Sequence, residues 1–191
     1  MGTDRAEHIK MLKKRLTEKR FIHSIGVEYT AASLAMVHGA DIEKARIAGL
    51  LHDNAKCYTE EEKLKKARKH DIPINKFEEL NPDLLHGKLG AYYARTKYGV
   101  EDKEILDAIT YHTTGRPDMT LLDKIIYIAD FIEPNRRMLN ELPEIRKEAF
   151  TDIDKCLLHI IGNIIKYLET KDFTVDDITQ KTYDFYASKI K

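Results

Sequence analysis

The chain has 191 residues, of which 42% are hydrophobic, so it is long enough to bury one sizeable core. Its 32 basic residues balance its 32 acidic ones, and this zero net charge argues against long-range attraction to nucleic acid or to an anionic membrane. The two cysteines, Cys57 and Cys156, are far apart, which argues against a disulfide framework and is typical of a reducing, cytoplasmic location.

Helical periodicity runs through nearly the whole chain, and no convincing run of alternating strand residues interrupts it. Start and stop signals predict helices at about 4–18, 21–37, 42–53, 60–70, 84–98, 101–111, 121–133, 143–168 and from 174 to near the C-terminus. The first of these lacks the apolar centre of a signal peptide, and no apolar run is long enough to span a membrane. The pattern predicts an all-α fold with a single domain over residues 1–191.

Residues typical of helix ends set these boundaries. The residues expected to start or cap helices are Asp41, Thr59, Thr120, Pro143 and Thr174. Gly39 and Gly99 are expected to end helices, and Pro73 and Pro82 to bracket a loop. The second helix carries an apolar stripe that consists of Ile22, Ile25, Tyr29, Ala32 and Met36.

Three ionisable residues lie in or directly after apolar helices. Asp130 lies inside "KIIYIADFI", and His52 and Asp53 follow "AGLL". A buried carboxylate is costly unless it is paired or binds a cation. Near a helix C-terminus, a bound cation would also offset the unfavourable end of the helix dipole. The alternative for each residue is a helix-end side chain that points to water.

Three further histidines, His23, His86 and His112, lie near predicted helix ends. Any one of them alone is more often structural than a ligand. Together with the residues above they make four histidines and two aspartates, a set that suits two metal ions, because imidazole favours transition metals and a carboxylate can bridge. Sequence spacing does not show that these helices converge. The remaining histidines are expected to be solvated or structural, and they are His8, His38, His70 and His159.

The order of these residues resembles the HD-domain superfamily of metal-dependent phosphohydrolases. Five stretches in order resemble its YqeK-type group, the bacterial symmetrical bis(5′-nucleosyl)-tetraphosphatases: "RFIHSIGVEYTA", "AGLLHDNAK", "LLHGKLGAYYA", "DAITYHTTGR" and "LLDKIIYIADFIEPNRR". The motifs cover about residues 20–136. The rest of the chain, on both sides of this region, resembles the group by its helical pattern. The resemblance implies an HD-domain helical bundle with a dinuclear metal site. It also implies symmetrical hydrolysis of diadenosine tetraphosphate to two ADP by a metal-bound hydroxide.

The resemblance further implies which residues bind metal. One ion would be held by His23, His52, Asp53 and Asp130. Asp53 would bridge to a second ion, held with His86 and His112, and would thereby act in catalysis. Two divalent ions are expected, with iron as the first choice and manganese, cobalt or magnesium as alternatives.

Phosphate groups also need positive partners. The candidate substrate-binding residues are Arg20, Lys56, Thr113, Gly115, Arg116 and Arg136. Lys56, four residues after His52, is also a candidate catalytic residue. Each basic side chain is alternatively a surface charge or an ion-pair partner, and Arg20 alternatively orients a metal ligand. The segment 113–115 either presents backbone N–H groups to a phosphate or forms an ordinary helix-ending turn.

Two other functions stay open from the sequence. One is a different HD-type nucleotide phosphohydrolase, such as a nucleotidase or a nucleoside-polyphosphate hydrolase. The other is a nucleotide-binding module without catalysis, which the intact set of six ligand residues disfavours. We expect a nucleotide as the partner, and neither nucleic acid nor membrane. The helices at the two ends of the chain either complete the core or form the surface of a homodimer.

Overall fold

A computed structural model of the chain describes residues 4–137, 140–171 and 173–189. These residues form helices and turns without a strand, which confirms the all-α fold. The α-helices are α1 (Arg5–Lys13), α2 (Glu18–His38), α3 (Ile42–Leu51), α4 (Glu60–Lys69), α5 (Lys76–Leu80), α6 (His86–Tyr98), α7 (Lys103–Tyr111), α8 (Leu121–Ile132), α9 (Leu142–Ala149), α10 (Ile153–Thr170) and α11 (Asp177–Lys189). A 3₁₀ turn over Pro82–Leu85 leads directly into α6.

Helix α8 lies at the centre of the main core. Its isoleucines Ile125, Ile126 and Ile128 are fully buried, because apolar residues cover most of the helix surface. Helices α2, α3 and α7 all pack against α8, and α3 also contacts α2 and α7. A smaller apolar cluster joins α4 to α6. No helix in the described ranges has the length and apolar character that crossing a membrane requires.

Several predicted helix ends are confirmed by their capping contacts. The side chain of Asp41 accepts a hydrogen bond from a backbone N–H in the first turn of α3. Thr59 and Thr120 form capping boxes at the starts of α4 and α8. Gly39 and Gly99 follow α2 and α6 with φ angles of 74° and 69°, a left-handed conformation that glycine adopts without a steric penalty.

Two predictions near the N-terminal half are wrong at their boundaries. The first helix ends at Lys13 rather than near residue 18, because the Thr17 side chain caps α2, which therefore starts at Glu18 and not at Phe21. The predicted loop between Pro73 and Pro82 contains α5, whose capping box is formed by Asn75 and Glu78.

Two predictions in the C-terminal part are also wrong. The helix expected over 143–168 is two helices, α9 and α10, because the Asp152 side chain accepts a hydrogen bond from Lys155 N at 3.0 Å and starts a new helix. The last helix is capped by Asp176 rather than Thr174, since Asp176 Oδ1 lies 2.8 Å from Ile178 N.

The apolar stripe predicted on α2 is largely not the buried face of that helix. Ile22, Tyr29 and Met36 are 46%, 56% and 63% exposed. The opposite face, which includes Val27 and Leu34, is buried against α3 and α8. This buried face also carries His23, so the packing of α2 turns a polar residue inward.

Candidate metal centre

The six predicted ligand residues converge on one point of the core. His52 and Asp53 directly follow α3, and His112 directly follows α7. The other three are His23 in the second turn of α2, His86 at the start of α6 and Asp130 near the end of α8. The four histidines and Asp53 are each at most 7% exposed as whole residues.

Each histidine is oriented by a hydrogen bond at its Nδ1 atom. Three of them donate to the backbone carbonyl three residues earlier: His52 to Gly49 O, His86 to Asp83 O and His112 to Ile109 O. His23 Nδ1 donates to Glu133 Oε1 at 3.0 Å. An imidazole that donates from Nδ1 keeps a lone pair on Nε2 while it is neutral. All four lone pairs are therefore available for a cation.

The carboxylate of Asp53 lies among these four Nε2 atoms. Its Oδ2 is 3.3 Å from His52 Nε2 and 3.7 Å from His23 Nε2. Its Oδ1 is 3.5 Å from His86 Nε2 and 3.7 Å from His112 Nε2. One carboxylate thus presents a different oxygen to each pair of histidines. Asp130 extends the first group, because its Oδ1 is 2.9 Å from His23 Nε2.

The hydrogen bonding of these residues fits a bound metal. Among the described residues, no hydrogen-bond partner satisfies the buried atoms His23 Nε2, His52 Nε2 and Asp53 Oδ1. The Nε2 atoms of His86 and His112 lie 3.0 Å apart although both rings donate from Nδ1. Two facing lone pairs repel unless a cation or a proton lies between them. Two groups of ligand atoms meet the spacing that a metal ion needs: His23, His52 and Asp130, and His52, Asp53 and His112.

The protonation states of His86, Asp53 and Asp130 also suit a cation. Burial, with the nearby His112, lowers the pKa of His86 to about 3, so this imidazole is neutral. Burial alone would raise the pKa of Asp53 and Asp130, but the adjacent imidazoles outweigh it and hold both pKa values well below the usual range. Neutral imidazoles and ionised carboxylates are the forms that bind metal.

Two of the candidate phosphate-binding residues border a cleft next to this centre. The cleft has a volume of about 690 Å³, and His23, Arg20 and Arg136 line it. Arg20 Nη1 donates to Asp53 Oδ2 at 2.6 Å, and Arg136 Nε donates to the Asp130 carbonyl at 2.7 Å. Both side chains are partly exposed, at 36% and 40%, and each guanidinium has five donors, so each can contact a phosphate as well.

The other candidates make different contacts. Lys56 donates to the carboxylate of Asp83, the residue whose carbonyl orients His86. Arg116 forms ion pairs with two carboxylates, at 2.7 Å to Asp123 and 3.3 Å to Asp107, which is the ion-pair alternative raised for it.

The segment 113–115 contains a side-chain contact with His86 and a helix-ending turn. Thr113 Oγ1 lies 3.0 Å from His86 Nε2, at the metal centre. Gly115 has a φ of 68°, and its N–H donates to Tyr111 O at 2.8 Å. Gly115 therefore lies in an ordinary turn that follows α7. Its N–H group is already hydrogen-bonded and is not free to bind a phosphate.

Sequence reasoning missed Glu133 and Gly26. The Glu133 side chain is 1% exposed and accepts hydrogen bonds from His23 Nδ1, Asn135 N and Asn135 Nδ2. A Cβ atom on Gly26 would lie only 2.4 Å from Glu133 Oε2, so the carboxylate requires a glycine there. A carboxylate directly after the apolar α8 was the available signal. The cleft also contains two unpredicted cations, Lys19 and Arg137.

Comparisons with known proteins match this geometry. The family model described as "HD domain" matches residues 20–135. The chain is 43% identical to a symmetrical bis(5′-nucleosyl)-tetraphosphatase of Bacillus subtilis, over 97% of this chain and 98% of that protein. It is 38% identical to a protein of the same name from Halalkalibacterium halodurans, over 95% and 96% of the two chains. A crystal structure of a predicted HD superfamily hydrolase from Clostridium acetobutylicum superposes with a TM-score of 0.93 at 40% identity, over 96% of this chain and 97% of that one.

Proposed function

The chain belongs to the HD-domain family, in the group of the symmetrical bis(5′-nucleosyl)-tetraphosphatases, and we propose that it hydrolyses diadenosine tetraphosphate and related dinucleoside tetraphosphates to two nucleoside diphosphates. The observation that carries this proposal is the Asp53 carboxylate, which turns one oxygen to His23 and His52 and the other to His86 and His112. Such a divided carboxylate is suited to bridging two cations beside a phosphate chain.

We assign the ligands in two sets. His23, His52 and Asp130 would hold one divalent ion, His86 and His112 would hold the other, and Asp53 would serve both sets. Iron is the proposed metal, with manganese, cobalt and magnesium as alternatives. When bound, such ions supply Lewis acidity at phosphate oxygens and lower the pKa of a bound water to about 7. The buried apolar surroundings of the ligands keep bulk water away and strengthen these interactions.

The residues around the centre position the substrate. Arg20 and Arg136 bind phosphate oxygens from the cleft while they keep their contacts with Asp53 and Asp130. Lys19 and Arg137 add positive charge to the same cleft, which suits a chain of four phosphates. Hydrolysis adds one water across the bridge between the two middle phosphates, so both products carry two phosphates.

The catalytic role of Lys56 stays a prediction. Its ammonium group neutralises Asp83 next to His86, so it contributes positive charge close to the second histidine pair. The single domain, the cytoplasmic location and the homodimer stay predictions as well.

Product analysis tests the proposed function. The protein is purified without oxygen, its metal content is measured, and it is then loaded with ferrous iron or manganese and incubated with diadenosine tetraphosphate. We expect about two metals per chain and ADP as the only product. Release of ATP and AMP, or of inorganic phosphate from a mononucleotide alone, would point to a different HD-type phosphohydrolase. Tight nucleotide binding without metal and without turnover would point to a binding module.

A further inference from the structure

A second cavity shares no lining residue with the cleft that Arg20 and Arg136 border. It has a volume of about 570 Å³ and lies between α5, the end of α7, α10 and the start of α11. Thr113 lines it, and the Oγ1 of the same residue is 3.0 Å from His86 Nε2. Thr113 therefore separates the cavity from His86, which faces Asp53 Oδ1, whereas the cleft is lined by His23, which faces Oδ2.

The walls of this cavity are mainly apolar. Phe77, Leu84 and Ile164 line it, and its remaining apolar side chains include Leu80 and Phe173. Leu80 is 80% exposed and Phe173 is 61% exposed, although large apolar side chains are normally covered. Its volume and lining are those of a small-molecule site rather than of a packing defect.

One carboxylate in the wall lacks a partner. Asp176 is 7% exposed and lines the cavity. Its Oδ1 caps α11 by accepting from Ile178 N at 2.8 Å, but its Oδ2 is buried without a hydrogen bond to the described residues. A buried acceptor that is left unpaired costs free energy. A ligand that donates an N–H group to this oxygen would therefore gain binding free energy.

We propose that this cavity holds one nucleobase of the substrate and that Asp176 Oδ2 accepts a hydrogen bond from the exocyclic amino group of that base. This inference rests on the proposed function, in which the phosphate chain lies over Asp53. A symmetrically cut dinucleotide places one nucleoside on each side of the reacting bond. The apolar walls match the faces of a purine, and the carboxylate matches an amino group but repels a carbonyl oxygen at the same position.

Binding of ADP and IDP to the metal-loaded full chain tests the pocket, because adenine carries an amino group where hypoxanthine carries a carbonyl. By calorimetry, we expect the wild-type protein to bind ADP roughly tenfold more tightly than IDP, since the carboxylate accepts a hydrogen bond from the amino group in one case and faces a carbonyl oxygen in the other. Asp176→Asn should lose or reverse this preference, because an amide can donate to the carbonyl. Asparagine also caps helices well, so α11 is retained.

Asp152→Asn is the matched control, because Asp152 is an exposed aspartate that caps α10 in the same way. It should keep the wild-type ratio of ADP to IDP affinity. The same ratio in Asp176→Asn and in wild type, or equal affinities in wild type, would overturn the nucleobase pocket.

Turnover separates this inference from the proposed function. If wild type cleaves diadenosine tetraphosphate, Asp176→Asn should lower kcat/KM for this substrate and should lower the ratio of that kcat/KM to the kcat/KM for the diinosine analogue. If wild type fails to cleave it, the proposed function is wrong, while the ADP and IDP affinities still decide whether Asp176 recognises the base.

Discussion

Replacing Gly26 by alanine should perturb the candidate metal centre without changing any of its proposed ligands. The new Cβ would lie 2.4 Å from Glu133 Oε2, whereas ordinary contact begins at 3.4 Å, so the carboxylate must move by about 1 Å. Glu133 then loses its 3.0 Å hydrogen bond from His23 Nδ1, and the imidazole loses the contact that orients its Nε2. Loss of such an outer contact typically reduces metal affinity or activity about 10- to 100-fold, which is about 1.4–2.8 kcal/mol.

The assay is a titration of metal-free protein with manganese, followed by kcat for diadenosine tetraphosphate at saturating metal. Gly26→Ala should lower the affinity of the site by about 10- to 100-fold. Glu133→Gln should lower it less, because the amide oxygen can still accept from His23. Gly39→Ala is the control, since Gly39 has a φ of 74° with open space around it, and alanine there strains the backbone far from the centre.

Unchanged metal affinity in a folded Gly26→Ala protein would refute the reasoning. It would mean that His23 is held in place without Glu133. Equal losses in Gly26→Ala and Gly39→Ala would show that general destabilisation, rather than the displaced carboxylate, lowers the affinity.

Three further predictions concern charge at the centre. Asp53→Ala should reduce turnover to background, because it removes the oxygens that face both histidine pairs; near-normal kcat in a folded variant would exclude the bridging role. Arg136→Ala should raise KM about tenfold through the loss of a charged phosphate contact, whereas Arg116→Ala should lower thermal stability and leave KM unchanged, since Arg116 pairs with carboxylates of α7 and α8. The third prediction concerns the metal-free protein, in which the pKa of His86 is about 3 when folded and about 6.5 when unfolded. The folded state then binds fewer protons, so the stability from His86 is present above pH 6.5 and is lost as pH falls from 6.5 toward 3, by up to about 1.4 kcal/mol per pH unit. Urea unfolding between pH 6 and pH 4 measures this slope, and it should be shallower in His86→Gln; equal slopes would show that His86 is not buried in its neutral form.

Local rules explain why much of the fold could be predicted. Helix periodicity and capping depend on residues within one or two turns, so α3, α4 and α8 start where Asp41, Thr59 and Thr120 predict. The same rules gave wrong helix starts where two possible N-cap residues lay close together, as Thr174 and Asp176 do. They also missed an N-cap residue inside a long helical pattern. Asp152 divides a run that looks continuous, and Thr17 starts a helix inside a charged stretch.

The candidate metal ligands could be predicted from the sequence because their chemistry is unusual for their surroundings. Carboxylates and imidazoles beside apolar helix residues are costly to bury unless they are paired or bind a cation. The order of the motifs in which they occur indicated the family. The phosphate-binding residues are a harder case, since an arginine near a motif has many neighbours to pair with. Arg116 and Arg136 look alike in sequence, yet only Arg136 borders the cleft.

The sequence by itself determined the all-α class, most of the helices, several of their caps and the set of residue types that can hold metal. Only the tertiary structure decided which atoms face one another. His23 meets Glu133 across 110 positions of the chain, and the two oxygens of Asp53 divide four histidines from different helices into two pairs. The physical reason is that hydrogen bonds within a helix turn follow from local spacing, whereas the direction of a buried side chain follows from how whole helices pack.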